Sequence, residues 1–166
     1  MSQLTLTSGS GFEARKGTIK DVVLSGFDLS GASMRKGHFE NCTFRGTSFK
    51  DADLTLANFI NCDFTDANLE GATLNNAHLS TCNLTGANLR RSVLIEALLD
   101  KVDMTKAVLA EARLHYAEIT NCECVDVDFT DAAVSGADFR GSRSLVWTNL
   151  VDTHQYQEVC NVDLTL

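Results

Sequence analysis

Apolar residues recur at every fifth position of this chain, starting at Ile19. The series runs Leu24, Leu29, Met34, Phe39, Phe44, Phe49, Leu54, Phe59, Phe64, and on through Leu79, Leu99, Ile119 and Cys124 to Phe139. Cys124 is its only member that is neither aliphatic nor Phe. Two residues before each member stands a second column, mostly small: Ala52, Ala57, Cys62, Ala67, Ala72, Ala77, Cys82, Ala87, Ser92, Ala97. The other positions are mainly Asp, Asn, Thr, Ser, Gly and charged residues. A period of five fits neither a helix at 3.6 nor an alternating strand at 2.0. It fits a strand-and-turn unit in which two of five side chains point inward before the chain bends.

Four bends close a square, so one coil takes about 20 residues. The cysteines give an independent check on that number. Cys42, Cys62, Cys82 and Cys122 fall on one 20-residue column whose other rungs are Val22 and Val102; a three-sided coil would need a 15-residue column. The predicted core ladder therefore includes Cys42, Cys62, Cys82 and Cys122 beside Phe39, Phe59, Leu79 and Leu99. Small residues suit the inner column because four walls converge on a narrow lumen; Phe27 is the misfit and marks a wider N-terminal end. Gly26, Gly31, Gly46, Gly71 and Gly86 fall where a tight corner demands positive φ.

The stretches Ala67-Asn68-Leu69-Glu70-Gly71, Ala87-Asn88-Leu89 and Ala137-Asp138-Phe139 resemble the pentapeptide-repeat family: a small residue, Asp or Asn, Leu or Phe, then two variable positions. The resemblance covers about residues 17–150. It implies an all-β fold, a right-handed quadrilateral parallel β-helix of about seven coils, roughly 34 Å long at one strand spacing per coil.

The domain reading has three parts: an N-terminal cap or linker over 1–16, the solenoid over 17–150, and a C-terminal cap over 151–166. Leu4 and Leu6 alternate with Thr and suit pairing onto the first coil, followed by a flexible Ser8-Gly9-Ser10-Gly11 link. After Phe139 the phase continues to Leu145 and Leu150 only with one residue inserted around Gly141, which predicts a bulge there. Trp147, Tyr156, Val162 and Leu164 suit a cap over the last coil, with a helical turn near 152–158.

Composition narrows the function. Of 166 residues, 44% are hydrophobic but only 7% aromatic, so the core must be built of small and medium side chains. Proline is absent, as suits a chain whose turns all belong to one ladder. A formal charge of −8 argues against binding nucleic acid directly. No apolar run long enough for a membrane span and no signal-peptide pattern is read, so the expectation is a cytoplasmic protein with reduced thiols.

The charge is polarised: residues 1–50 carry a balance of +3 and residues 51–166 one of −11. Between 117 and 139, Glu118, Glu123, Asp126, Asp128, Asp131 and Asp138 form a belt without Lys or Arg, a candidate interface for a basic surface. Val93, Ile95, Leu98, Val108 and Tyr116 fall on outward positions of adjacent coils, with Leu56 and Ile60 further down. They form a candidate apolar interface.

Chemistry finds little support. Cysteines one rung apart stand in a line and cannot surround one metal ion. His38 and His78, two coils apart on a straight rod, lack a concave pocket. No catalytic residue, metal or cofactor is expected. The expected function is a non-catalytic protein–protein interaction rod, with a homodimer as one form of the contact. The family resemblance offers two alternatives. One is a DNA mimic of the quinolone-resistance branch that binds DNA gyrase, although Lys36, Arg45 and Lys50 make the N-terminal third basic. The other is an accessory or effector component of a bacterial secretion system.

Overall fold

The computed structural model describes residues 17–145. Six short strands, β1 (Thr18–Lys20), β2 (His38–Glu40), β3 (Asn58–Ile60), β4 (His78–Ser80), β5 (Leu98–Asp100) and β6 (Glu118–Thr120), stack in chain order as one parallel sheet. Each pairs with the next at a register of 20 residues, as in Phe39 against Phe59 and Leu79 against Leu99. This sheet is the first side of the solenoid. The other three are held by single parallel bridges in three columns: Val23 to Thr43 and onward, Asp28 to Ser48 and onward, Ser33 to Asp53 and onward. Twenty residues therefore make one four-sided turn.

Five full turns separate β1 from β6, and the parallel bridges Glu118 to Asp138 and Glu123 to Arg143 carry the ladder one rung further, close to the seven coils that counting 17–150 in twenties suggests. The register also holds further than expected. Gly141 occupies an ordinary corner, with φ +70°, and the phase departs only at Ser144, where φ is +60° and Leu145 packs against the core one place late. The predicted caps over 1–16 and 151–166, and Trp147 and Leu150, lie outside the described residues.

The core is the lumen. Every fifth-residue position from Ile19 to Phe139 is buried, and so is nearly all of the small column. The lower coils are filled by aromatic stacks: Phe39 lies on Phe59 at 5.0 Å and Phe44 on Phe64 at 4.9 Å, nearly parallel one coil apart. Leucines fill the middle coils. Gly37 shows how tight the fit is, since a Cβ there would stand 2.5 Å from the Phe39 ring. Phe27, the misfit of the small column, is 44% exposed.

The Asp or Asn of the repeat has a local task. Its Oδ1 accepts the backbone N–H two residues on, as in Asp53 to Thr55, Asn68 to Glu70, Asn83 to Thr85, Asn88 to Arg90 and Asp128 to Thr130. This Asx turn satisfies a donor on the outer surface just before the chain bends.

Candidate surface for partner binding

Outward side chains stand in columns one rung apart, so the character of a wall is set by residues spaced 20 apart. On the first side, one outer column reads Lys20, Glu40, Ile60, Ser80, Asp100, Thr120, Arg140; the other reads Thr18, His38, Asn58, His78, Leu98, Glu118, Asp138. Ser80, Asp100 and Thr120 are short between the longer Ile60 and Arg140. The result is a shallow depression of about 370 Å³ lined by His78, Ser80, Leu98, Asp100, Glu118 and Thr120.

Asp100 in its floor is committed to neighbours. It accepts from Asn121 Nδ2 at 2.8 Å and pairs with Lys101 Nζ at 3.3 Å. The Asn121 hydrogen bond leads in holding its carboxyl below the ordinary carboxylate value. Glu118 has no ion pair or side-chain hydrogen bond among the described residues.

The predicted apolar residues divide. Val93 and Ile95 lie on the fourth side, Leu98 on the first, and Tyr116 at the corner between them, so these four share one edge. Leu56 stands at the same corner three coils below, 46% exposed, and Ile60 lies at the far end of the first side of that coil. Val108 belongs to the third side, between Asn88 and Asp128, and is not part of this edge. Val93, Ile95, Leu98 and Val108 are half-buried by the rungs above and below. Tyr116 is 66% exposed, its ring held over Gly136, where a Cβ would stand 2.5 Å from Cδ1. The depression was not foreseen; the run of short residues at 80, 100 and 120 was the signal for it.

The six acidic residues form a ring around the last coils rather than a wall. Glu118 and Asp138 are on the first side, Glu123 on the second, Asp128 on the third, and Asp126 and Asp131 at corners. Asp138 is paired with Arg140 at 2.6 Å. The Asp128 carboxyl is held below its ordinary value by hydrogen bonds from the Thr130 hydroxyl and amide. At the basic end, cross-coil pairs neutralise most cations: Lys20 with Glu40, Arg35 with Asp53, Arg45 with Asp63, Lys50 with Glu70. Such exposed pairs contribute little stability, but they leave the N-terminal coils less basic than their composition.

Cys42, Cys62, Cys82 and Cys122 are buried along one corner, and Cys124 is buried on the second side. Each column thiol donates to backbone carbonyls, Cys62 to Phe39 O at 3.6 Å and Ile60 O at 3.4 Å, Cys122 to Leu99 O at 3.4 Å and Thr120 O at 3.3 Å. Burial pushes the Cys122 thiol up to about 11. These are structural donors, and no group of three or more His, Cys, Asp or Glu among the described residues is arranged to hold a metal. His38 approaches Glu40 at 3.3 Å on an open surface. No helix among the described residues is long and apolar enough to cross a membrane.

Solved structures share this architecture. HetL, a pentapeptide repeat protein involved in heterocyst differentiation regulation from the cyanobacterium Nostoc sp. strain PCC 7120, is 22% identical, with a TM-score of 0.50 over 80% of this chain and 73% of its own. QnrB1, a plasmid-mediated fluoroquinolone resistance protein, is 21% identical, with a TM-score of 0.58 over 79% of each chain. The pentapeptide repeat protein Rfr23 from the cyanobacterium Cyanothece 51142 is 20% identical, with a TM-score of 0.59 over 80% of this chain and 90% of its own. At such identities the likeness is one of fold. No curated protein sequence matches the chain. Two family models of pentapeptide repeats match, one over residues 29–73 and one over 62–94 and 87–123, together more than half of the chain. With its 20-residue register and its small–Asp/Asn–Leu/Phe units, the chain belongs to the pentapeptide-repeat family.

Proposed function

We propose that this protein is a non-catalytic binding rod of the cytoplasm that engages a protein partner through the edge between its fourth and first sides. One observation carries the reading: Tyr116 stands exposed at the corner between the fourth side, which carries Ile95, and the first, which carries Leu98 and a depression, on a fold whose other outward columns are mainly polar. An exposed aromatic with aliphatic neighbours is the composition of an interface core. Flat walls of columns one rung apart also favour surface contact over the concave, water-excluding pocket that catalysis needs.

The test is capture of partners from cell extract with the wild-type rod and with Ile95→Asp combined with Leu98→Asp. Placing two carboxylates in the edge should abolish capture or self-association. Tyr116→Ser, outside the core, should weaken it without disturbing the inward ladder. Unchanged capture by both variants, with unchanged circular dichroism, removes the edge as the binding surface.

A second reading is binding of DNA gyrase. The fold likeness to QnrB1 and the acidic ring over 118–138 favour it. A gyrase supercoiling assay with and without a quinolone decides it: protection or inhibition at micromolar protein supports this reading, and no effect ends it.

A further inference from the structure

The first side offers more than an apolar edge, because its two outer columns place a shallow step beside an uncommitted charge. Along one column the side chains shorten at Ser80, Asp100 and Thr120 between Ile60 and Arg140. Along the other, Leu98 stands between His78 and Glu118 in direct register. The step therefore has an aliphatic wall at Leu98, about one strand spacing, roughly 4.8 Å, from the Glu118 rung.

The charges around it are unequal. Asp100 pairs with Lys101 and accepts a hydrogen bond from Asn121, and Asp138 pairs with Arg140. Glu118, and Glu96 at the adjoining corner, form no ion pair among the described residues. The step thus combines an apolar wall at Leu98 with the unpaired negative charge of Glu118. Phosphate-bearing ligands and acidic segments are disfavoured there, and a cation is drawn to it.

We propose that this step takes an extended segment of a protein partner carrying an aliphatic side chain and, two residues on, a Lys or Arg. The aliphatic group lies against Leu98 in the depression and the cation reaches Glu118. Residues two apart on an extended chain point the same way about 6.8 Å apart, a spacing that the reach of a Glu side chain and a Lys or Arg side chain easily spans. This proposal rests on the protein-binding reading and names the chemistry of the partner.

The test is an amide chemical-shift titration of the whole protein, labelled with ¹⁵N, using three capped peptides: Leu-Gly-Arg, Leu-Gly-Glu and Gly-Gly-Arg. The expected result is that Leu-Gly-Arg moves the amides of residues 78–80, 98–100 and 116–120, and that the other two bind more weakly. Glu118→Gln, a surface change that leaves the fold intact, should weaken Leu-Gly-Arg by about two- to five-fold, the range of an exposed ion pair. The difference should shrink in about 0.5 M salt. Equal responses to the acidic and basic peptides, shifts confined to other sides, or no effect of Glu118→Gln would overturn the proposal. Concentration-dependent shifts of the same amides without peptide would name a second copy of the chain as occupant, which also overturns it. If capture still depends on Ile95 and Leu98 while the peptides are not discriminated, the partner chemistry is wrong and the binding edge stands.

Discussion

Every fifth residue from Asp21 to Gly141 has positive φ, eighteen of them non-glycine at +52° to +61° and seven glycine. With the N–H of the fourth residue donating to the C=O of the first, as Phe27 to Leu24 and Ala32 to Leu29, this is the pattern of a type II turn. The left-handed region costs most L-residues about 1–2 kcal/mol, and Asn, Asp and Gly less. Thr81, β-branched at φ +53°, is therefore among the worst placed of the corner residues. Below it, Asn61 Nδ2 donates to Asn41 Oδ1 at 2.9 Å and Asn41 Nδ2 to Asp21 Oδ1 at 3.1 Å. Thr81→Asn relieves the corner and extends this amide ladder by one rung. It should stabilise the protein by about 1 kcal/mol, checked by the thermal midpoint; an unchanged or lower midpoint would contradict the account. The glycines at 26, 31, 46, 71 and 86 were readable as corners because of their phase. That Leu56, Glu96 and Tyr116 occupy the same conformation was hidden, since the stacked backbone imposes it against their own preference.

At the scale of the single side, the strand ladder differs from the other three. Their corners are closed by the turn hydrogen bond, whereas no such bond closes the corners after β1 to β6 among the described residues. A side chain from the coil above enters each opening. The Ser142 hydroxyl donates to Ile119 O at 2.6 Å and accepts from Cys122 N at 3.0 Å, bridging the two groups that a turn bond would join. Cys42, Cys62, Cys82 and Cys122 donate to Ile19, Phe39, Phe59 and Leu99 in the same way. After Phe139 the corner closes normally, Ser142 N to Phe139 O at 3.1 Å. Val102 is the exception in the column, apolar and without a donor to offer. Ser142→Ala should cost about 1–3 kcal/mol by orphaning Ile119 O and Cys122 N, and Ser142→Cys much less, read by denaturant unfolding. Equal losses for both would mean that only volume matters. The column's 20-residue period was legible in the sequence. Its purpose was not, because small buried hydrophobe and backbone donor look alike until the open corner is seen.

The whole molecule is a one-dimensional stack in which each coil touches only its neighbours, so its surface is a grid indexed by the number 20. That index made the four-sided architecture, the inward ladder and the shared edge of Ile95, Leu98 and Tyr116 readable from residue types alone. Val108, on the third side, neighbours the fourth but lies off that edge. Charge was the least legible property: the polarity of composition is real, but cross-coil pairs such as Arg45 with Asp63 and Lys50 with Glu70 neutralise much of its basic end. Each binding proposal depends on which outward residues are neighbours, and that depends on the register. Scalar couplings across backbone hydrogen bonds, measured by NMR from amide nitrogen to carbonyl carbon, report the register directly. They should connect Leu24 to Thr43, Phe44 to Asp63, Phe64 to Asn83 and Leu84 to Asp103, pairs whose N···O distances are all 2.7 Å. Couplings from the same amides to residues about five positions nearer in sequence would signal a three-sided coil, and would contradict the fold and the binding surfaces derived from it.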